Sequence, residues 1–281
     1  MRNVDGHRRR LKSAIRLGAA VALVAASSVQ VRAGECPRKG TLGTSRIMTV
    51  DAATHPRVGL QSFAQTLPLG DREVVLTFDD GPASPMDEKI LAALEMQCVR
   101  ATFFMVGKVA SELPELVRKI AAAGHTIANH TWSHRNLKHI SPQNAAHEID
   151  MGIAALEKVL NGATTTVPST PFFRYPFYEM TQPTLDDMER RGIVVFSSDL
   201  WASDWVPMTP RQQLKYLIDR LKTAKKGIIL MHDPRVQTAV MLPAFLRYLR
   251  DNRYRVVHVV AAAPSRPANE QAKGAADIRP N

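Results

Sequence analysis

Val74-Val75-Leu76-Thr77-Phe78-Asp79-Asp80-Gly81-Pro82 is a β-branched apolar run that ends on two adjacent carboxylates and a Gly-Pro stop. Such a run reads as a buried strand, and the C-terminal ends of strands are where open α/β sheets and barrels hold their ligands. Successive strand residues face opposite sides and Gly-Pro turns the chain sharply, so Asp79 and Asp80 can take different environments and different tasks. One acid could ligate a cation while the other handles protons. An Asx-type turn after a core strand is the plain alternative, and this stretch alone does not choose between them.

From Glu73 onward the chain alternates strand and helix. Val74 to Phe78, Ala101 to Val106, His125 to Ala128, Pro171 to Tyr175, Gly192 to Ser197, Ile228 to Met231 and Arg255 to Val260 read as strands. Between them, Met86 to Met96, Pro114 to Ala123, Pro142 to Leu160, Gln182 to Arg191, Pro210 to Ala224 and Leu242 to Arg250 read as helices. Ser141-Pro142 and Thr209-Pro210 supply N-caps, and Gly124 supplies a C-terminal stop. Near-continuous apolar strands separated by helices imply a parallel sheet that is covered on both faces or closed into a barrel.

Outside this region, residues 1–33 have the form of an export signal: Arg8-Arg9-Arg10-Leu11-Lys12, an apolar run from Leu17 to Ser27, and Val31-Arg32-Ala33 before an expected cut after Ala33. The run is too short for a permanent membrane anchor. Its arginines match a twin-arginine signal only loosely, so the export route stays open. Residues 34–70 carry Pro37, Gly40, Gly43, Pro56, Gly59 and Pro68 and read as an irregular arm laid over the core. A domain over 71–262 and a disordered tail over 263–281, rich in Ala, Pro and charge, complete the chain. The signal holds seven Lys and Arg against Asp5, six of the eleven net positive charges, so the exported chain is only mildly basic. No Lys/Arg-dense run with interleaved aromatics survives in it, which argues against a nucleic-acid partner. Cys36 and Cys98 could pair in an oxidising compartment or remain as buried thiols.

Chemistry-bearing residues recur at the strand ends. Asn129-His130-Thr131-Trp132-Ser133-His134 places two histidines four apart, on one face if the segment makes a helical turn, where both rings could reach one ion. Two histidines plus a carboxylate, with positions left for water and substrate, suit zinc and other divalent ions. Arg174 follows another strand and could hold a carboxylate bidentately. Asp199-Leu200-Trp201-Ala202-Ser203-Asp204-Trp205 sets acids and tryptophans in a loop; the tryptophans could line a sugar-sized groove or belong to the core. His232, at the end of the strand that starts at Ile228, has a titration range that suits a general acid.

Taken in order, Thr77-Phe78-Asp79-Asp80-Gly81-Pro82, His130-Thr131-Trp132-Ser133-His134, Arg174-Tyr175-Pro176-Phe177, Asp204-Trp205 and Leu230-Met231-His232 resemble the five motifs of the polysaccharide deacetylase family, the carbohydrate esterase group that includes the nodulation chitooligosaccharide deacetylases. The resemblance covers about Glu73 to Val260. It implies a distorted (β/α)7 barrel of NodB-homology type, here with the irregular N-terminal arm in front of it, a divalent metal (Zn2+, with Co2+ or Ni2+ as alternatives) and an acetylated polysaccharide or oligosaccharide substrate; the expected reaction is removal of N-acetyl groups from GlcNAc-containing glycans, chitin oligosaccharides or peptidoglycan. With the export signal, the expected protein is secreted or periplasmic, and a monomer is expected. By position, Asp79 is the implied base, Asp80, His130 and His134 the metal ligands, Arg174 the partner of Asp79, and His232 the acid oriented by Asp204. Trp205 and Leu230 line the acetyl pocket, and the Phe177 N–H faces the oxyanion. Trp201 and the pair Phe177-Tyr178 depart from the commonest family pattern, which bears on groove shape and substrate preference. An O-acetyl esterase on a xylan-like polymer and a noncatalytic glycan-binding protein are the alternatives.

Overall fold

The structure, a computed structural model, describes Cys36 and residues 38–262; the expected export signal and C-terminal tail lie outside the described residues. Among the described residues ten strands pair in parallel: β1 (Thr44–Val50), β2 (Arg57–Val58), β3 (Glu73–Asp79), β4 (Thr102–Met105), β5 (Thr126–Asn129), β6 (Phe172–Phe173), β7 (Val194–Phe196), β8 (Leu200–Trp201), β9 (Gly227–His232) and β10 (Arg255–Ala261). The helices are α1 (Met86–Met96), α2 (Gly107–Glu112), α3 (Pro114–Ala122), α4 (Pro142–Asn161), α5 (Gln182–Arg190), α6 (Pro210–Ala224) and α7 (Val236–Asp251). None is long and apolar enough to cross a membrane.

Alternation along β3 divides the core. Val74, Leu76 and Phe78 point outward, into an apolar layer with Ile90 and Leu94 of α1 and Leu242, Phe245 and Leu249 of α7. Val75 points inward and meets Phe104, Ala128, Phe172, Phe196 and Ile228 from the other strands. Truncating one such phenylalanine to alanine costs about 3–5 kcal/mol. The spatial order runs β8, β9, β3, β4, β5, β6, β7, β2. Chain continuity through Ser197, Ser198 and Asp199 brings β7 beside β8, and the segment after β2 seals that seam. There the Gln61 N–H donates to the Ser198 carbonyl at 2.9 Å, and the Leu60 N–H to the Asp199 carboxylate at 2.9 Å. The result is the distorted α/β barrel that the sequence implies.

The arm differs from its irregular expectation. Thr44–Val50 is a seven-residue strand parallel to β10, and Met48 and Val50 join Val257 and Val259 in the inner core. The alternating apolar residues earn this place because β10 offers an unpaired edge. Arg46 donates to both oxygens of Glu73, at 3.0 and 2.7 Å, and these bonds hold the Glu73 carboxyl down at about 2. The Cys36–Cys98 disulfide is formed, with Cα atoms 5.7 Å apart, and ties the start of the arm to the α1–β4 connection.

Capping follows the sequence. The Ser141 hydroxyl accepts from the Asn144 N–H at the start of α4, whose end is Gly162 at φ 72°, and Thr209 and Gln212 form a reciprocal box at the start of α6. Two helices depart from expectation. Helix α2 was not foreseen, and α7 begins six residues before Leu242 and carries Pro243 inside it. Its buried face, Ala239, Met241, Leu242, Phe245 and Leu246, runs unbroken through the proline and outweighs the one hydrogen bond lost there.

Where β5 meets β10, two histidines are buried. The Ala101 N–H donates to His125 Nδ1 at 3.1 Å. The Thr126 hydroxyl donates to the Val259 carbonyl at 2.7 Å and bonds His258 Nε2 at 2.9 Å, so that nitrogen carries the proton. Burial pushes His125 down to about 3 and His258 to about 4, with nearby positive charge adding to each. In the unfolded chain both take up a proton near the ordinary histidine value of 6.5. Their contribution to stability is therefore complete above that value and is lost as pH falls toward the folded values, at up to about 1.4 kcal/mol per pH unit for each ring. Urea midpoints measured from pH 7 to pH 5 are expected to fall less steeply in His258→Gln than in the wild type; parallel slopes would show that His258 does not titrate on unfolding.

Candidate metal and catalytic site

The parallel register alone gathers the motifs. Asp79 stands opposite His232, Met105 opposite Asn129, and Asn129 opposite Phe173. The residues that follow these strand ends, Asp80, His130 and Arg174, therefore meet His232 at one rim.

His130 and His134 reach that rim without the expected helical turn. Thr131 and His134 are left-handed, at φ 65° and 57°, and the loop is pinned from outside. Glu148 of α4 accepts from the Ser133 N–H at 2.8 Å and the Ser133 hydroxyl at 2.7 Å. The first turn of α2 adds two bonds, Gly107 N–H to Thr131 O at 2.9 Å and Lys108 N–H to Trp132 O at 2.8 Å. Gly152 permits this approach, since a Cβ there would lie 2.6 Å from the Thr131 carbonyl carbon.

The donor set fits a divalent cation. His130 Nδ1 lies 2.7 Å from the Arg174 carbonyl, so it carries the proton and leaves the Nε2 lone pair free. That lone pair faces Asp80 Oδ1 at 3.4 Å, and His134 Nε2 lies 3.1 Å from the same oxygen. The three ligand atoms all lie within 4.8 Å of one another, and Asp80 Oδ1 is buried without a hydrogen-bond donor. A cation resolves this crowding of acceptors. Burial would raise the Asp80 carboxyl, and positive charge among these three groups, as a proton on an imidazole Nε2 or as a cation in its place, holds it well below the usual carboxylate range.

Asp79 is held differently. Arg174 is fully buried. Its Nη1 donates to Asp79 Oδ1 at 2.6 Å and to the Thr77 hydroxyl at 2.8 Å, and Nη2 donates to the Ser197 carbonyl at 3.0 Å. The Phe104 ring packs 4.1 Å from its central carbon. The pairing is thus one-toothed rather than the expected fork, because Thr77 and the Phe196 and Ser197 carbonyls occupy the other N–H groups. Asp79 Oδ2 is left pointing to the cation site, 3.9 Å from His130 Nε2.

Across the rim His232 Nδ1 bonds Asp204 Oδ1 at 2.7 Å, while Asp204 Oδ2 accepts from the His232 N–H at 2.6 Å and the Thr238 hydroxyl at 2.7 Å. Burial would lower the imidazole, but the Asp204 carboxylate outweighs it and raises His232 above its ordinary value. Behind the Asp80 turn, Asp87 and Asp233 are buried. Loss of water pushes Asp87 up to about 6 and Asp233 well above the carboxylate range, so the pair favours a protonated carboxyl that can donate to its neighbour. Gly81 makes room for this pair: a Cβ there would lie 1.9 Å from Asp233 Oδ2.

A cavity of about 390 Å³ opens onto these groups. Asp79, Asp80, His130, His134 and His232 line it, together with the expected Phe177, Trp205 and Leu230. Arg174 and Asp204 lie behind the wall, fully buried. Trp201 is not part of it and packs instead against the Arg220 guanidinium, 4.8 Å from ring centre. Tyr175, Tyr178 and Arg235 also line the cavity; the motif reading gave Tyr175 and Arg235 no task and met Tyr178 only as a departure from the family pattern that bears on groove shape. Asp80, Thr131, His134, Phe177, Tyr178 and Ser203 are all left-handed without being glycine. At roughly 1–2 kcal/mol each, this strain is concentrated where function is expected to hold it.

A family model described as polysaccharide deacetylase matches residues 67–196. A chitooligosaccharide deacetylase from a Bradyrhizobium strain is 30% identical over 166 residues, 58% of this chain and 72% of that relative. The chain belongs to the polysaccharide deacetylase family. A peptidoglycan-N-acetylglucosamine deacetylase of Bacillus cereus is 33% identical over 144 residues, 51% of this family member and 50% of the relative, so the chain spans about half of that protein's length. Among solved structures, a Bdellovibrio bacteriovorus peptidoglycan deacetylase superposes with a TM-score of 0.71 at 28% identity, over 81% of this chain and 62% of that one. The family match ends at residue 196, before Asp204 and His232; their place in this deacetylase-family chain rests on the geometry above.

Removing one ligand leaves two donors, too few for tight binding. Titration calorimetry with zinc chloride is expected to show one site per chain in the wild type and affinity reduced at least about a hundredfold in His130→Ala, because even partners behind a ligand are worth 10–100-fold. Unchanged affinity would remove His130 from the ligand set.

Proposed function

We propose that this chain is an exported, metal-dependent hydrolase that removes N-acetyl groups from GlcNAc-containing glycans such as chitin oligosaccharides or peptidoglycan. The observation that carries the reading is the convergence of the free His130 Nε2 and of His134 Nε2 on an unpaired Asp80 oxygen, with a second carboxylate, Asp79, held at its edge by a buried arginine. The export signal read at residues 1–33, the disulfide and the peptidoglycan-acting names of several relatives support the compartment. The histidine-carboxylate set suits zinc, with cobalt or nickel as substitutes.

Asp80, His130 and His134 would hold a divalent ion, which would supply Lewis-acid polarisation and a lowered pKa for water at the site. Asp79 Oδ2, free because Arg174 grips only Oδ1, takes the proton of the attacking water. The Phe177 N–H has no backbone acceptor among the described residues; it meets the negative charge that develops on the acetyl oxygen. His232, charged through Asp204, gives its proton to the departing amine as the C–N bond breaks. Ester cleavage has less need of that last step, so the buried Asp204–His232 pair favours the amide over an O-acetyl substrate.

Acetate release from zinc-loaded protein is the deciding measurement, with chitin oligomers, peptidoglycan and acetylxylan as parallel substrates. Release from either GlcNAc-containing substrate is expected, with Asp79→Asn slowing kcat by about 10²–10⁴-fold while zinc stays bound. Release from acetylxylan alone would replace the reading with an esterase, and release from none would end it. Because Asp204 holds His232 in its acid form, the alkaline limb of the pH–rate profile is expected to move to lower pH in Asp204→Asn. A limb that stays in place would assign it to another group.

A further inference from the structure

Tyr178 lines the same cavity as Asp79, Leu230 and His232, and folding alone does not favour a tyrosine there. Its backbone is left-handed at φ 57°, a conformation that glycine adopts freely and a residue with a Cβ does not. Its hydroxyl is shielded from water and unpartnered, and burial pushes the phenol up to about 12, so it remains neutral. A residue that carries both costs at a cavity wall is kept for what the wall does.

The position of the ring shows what that is. The phenol lies close to Ser197 and Ser198 and within reach of the Arg174–Asp79 pair. Both serines are fully buried and neither lines the cavity. The side chain therefore lines the open cavity on one side and has the buried serines that follow β7 as neighbours on the other. The Ser198 hydroxyl is also buried and unpartnered, so the polar groups behind the ring are incompletely satisfied.

We propose that Tyr178 sets the acyl-length limit of the site: its ring is the surface against which the acyl chain ends, so that a two-carbon acyl group fits and longer ones do not. The inference rests on the deacetylase reading and makes Tyr178 a specificity residue rather than part of the proton-transfer machinery. The reaction is unchanged by chain length: water adds to the acyl carbon, the C–N bond breaks, and the amine leaves with a proton.

The test compares wild type, Tyr178→Gly and Tyr178→Phe on chitin-derived glucosamine oligomers carrying N-acetyl, N-propionyl or N-butyryl groups, read as released carboxylate. Glycine suits the left-handed backbone, and one zinc per chain confirms an intact site; should that variant fail to fold, Tyr178→Ala gives the same readout. The wild type is expected to favour acetyl over butyryl by at least about a hundredfold. Tyr178→Gly is expected to raise the butyryl-to-acetyl ratio of kcat/KM at least about tenfold, and Tyr178→Phe to leave the ratio in place while melting no lower than wild type. An unchanged ratio in Tyr178→Gly, or a wild type indifferent to chain length, overturns the proposal. Calorimetric binding of acetohydroxamate and butyrohydroxamate to the zinc-loaded proteins keeps it separate from the deacetylase reading. If no glycan is turned over, a gain of butyrohydroxamate affinity confined to Tyr178→Gly still supports the wall, and the absence of that gain removes it.

Discussion

A guanidinium with no access to water must find oxygen acceptors for its N–H groups or leave the interior, because an unpaired buried charge costs several kcal/mol. Arg174 finds them in Asp79, Thr77 and the carbonyls at the end of β7. Each bond also fixes something else. The Asp79 bond aims one carboxylate oxygen at the cation site, and the Thr77 bond locks a hydroxyl that in turn donates to the Ile229 carbonyl. The same residue's own carbonyl accepts from His130, which decides which nitrogen of that ring is free. One buried residue thus couples the proton-handling acid to the ligand set.

The constraint extends outward through register. A shift of one residue along any of β3, β5 or β9 would turn its terminal side chains to the other face of the sheet. Register is fixed by the double-sided apolar packing of those strands, where Val74, Leu76 and Phe78 belong to one layer and Val75 to the other. Core packing that never touches a substrate is in this sense what sets distances at the rim.

Much of this was legible beforehand. The β3 run and its paired acids, the capped helices and all ten site residues of the motif reading fall where strand ends converge, since apolar periodicity and strand-end chemistry are local signals. What escaped depends on distant partners. The arm looked irregular because β1 is a strand only in the presence of β10, and the His130–His134 loop looked helical because its left-handed turn is imposed by Glu148 and α2. The grip of Arg174 on Asp79 looked forked because its competing acceptors lie on β7. Tyr178 stood out only as a departure from the family pattern, because its strain and its unpaired hydroxyl are properties of coordinates, not of composition.

The pairing of β1 with β10 bears on biosynthesis. The Ser45 hydroxyl donates to the Val256 carbonyl across 211 residues of chain, so the first strand waits for the last. At ordinary elongation rates of about 5–20 residues per second, roughly 10–40 s separate their emergence from the ribosome. During that interval the early strand keeps a free edge open to sticking, and Met48 and Val50 lack their inner-core partners Val257 and Val259. Closure at this edge is therefore a late event: the sheet completes itself only once β10 has been made and β1 has docked on it.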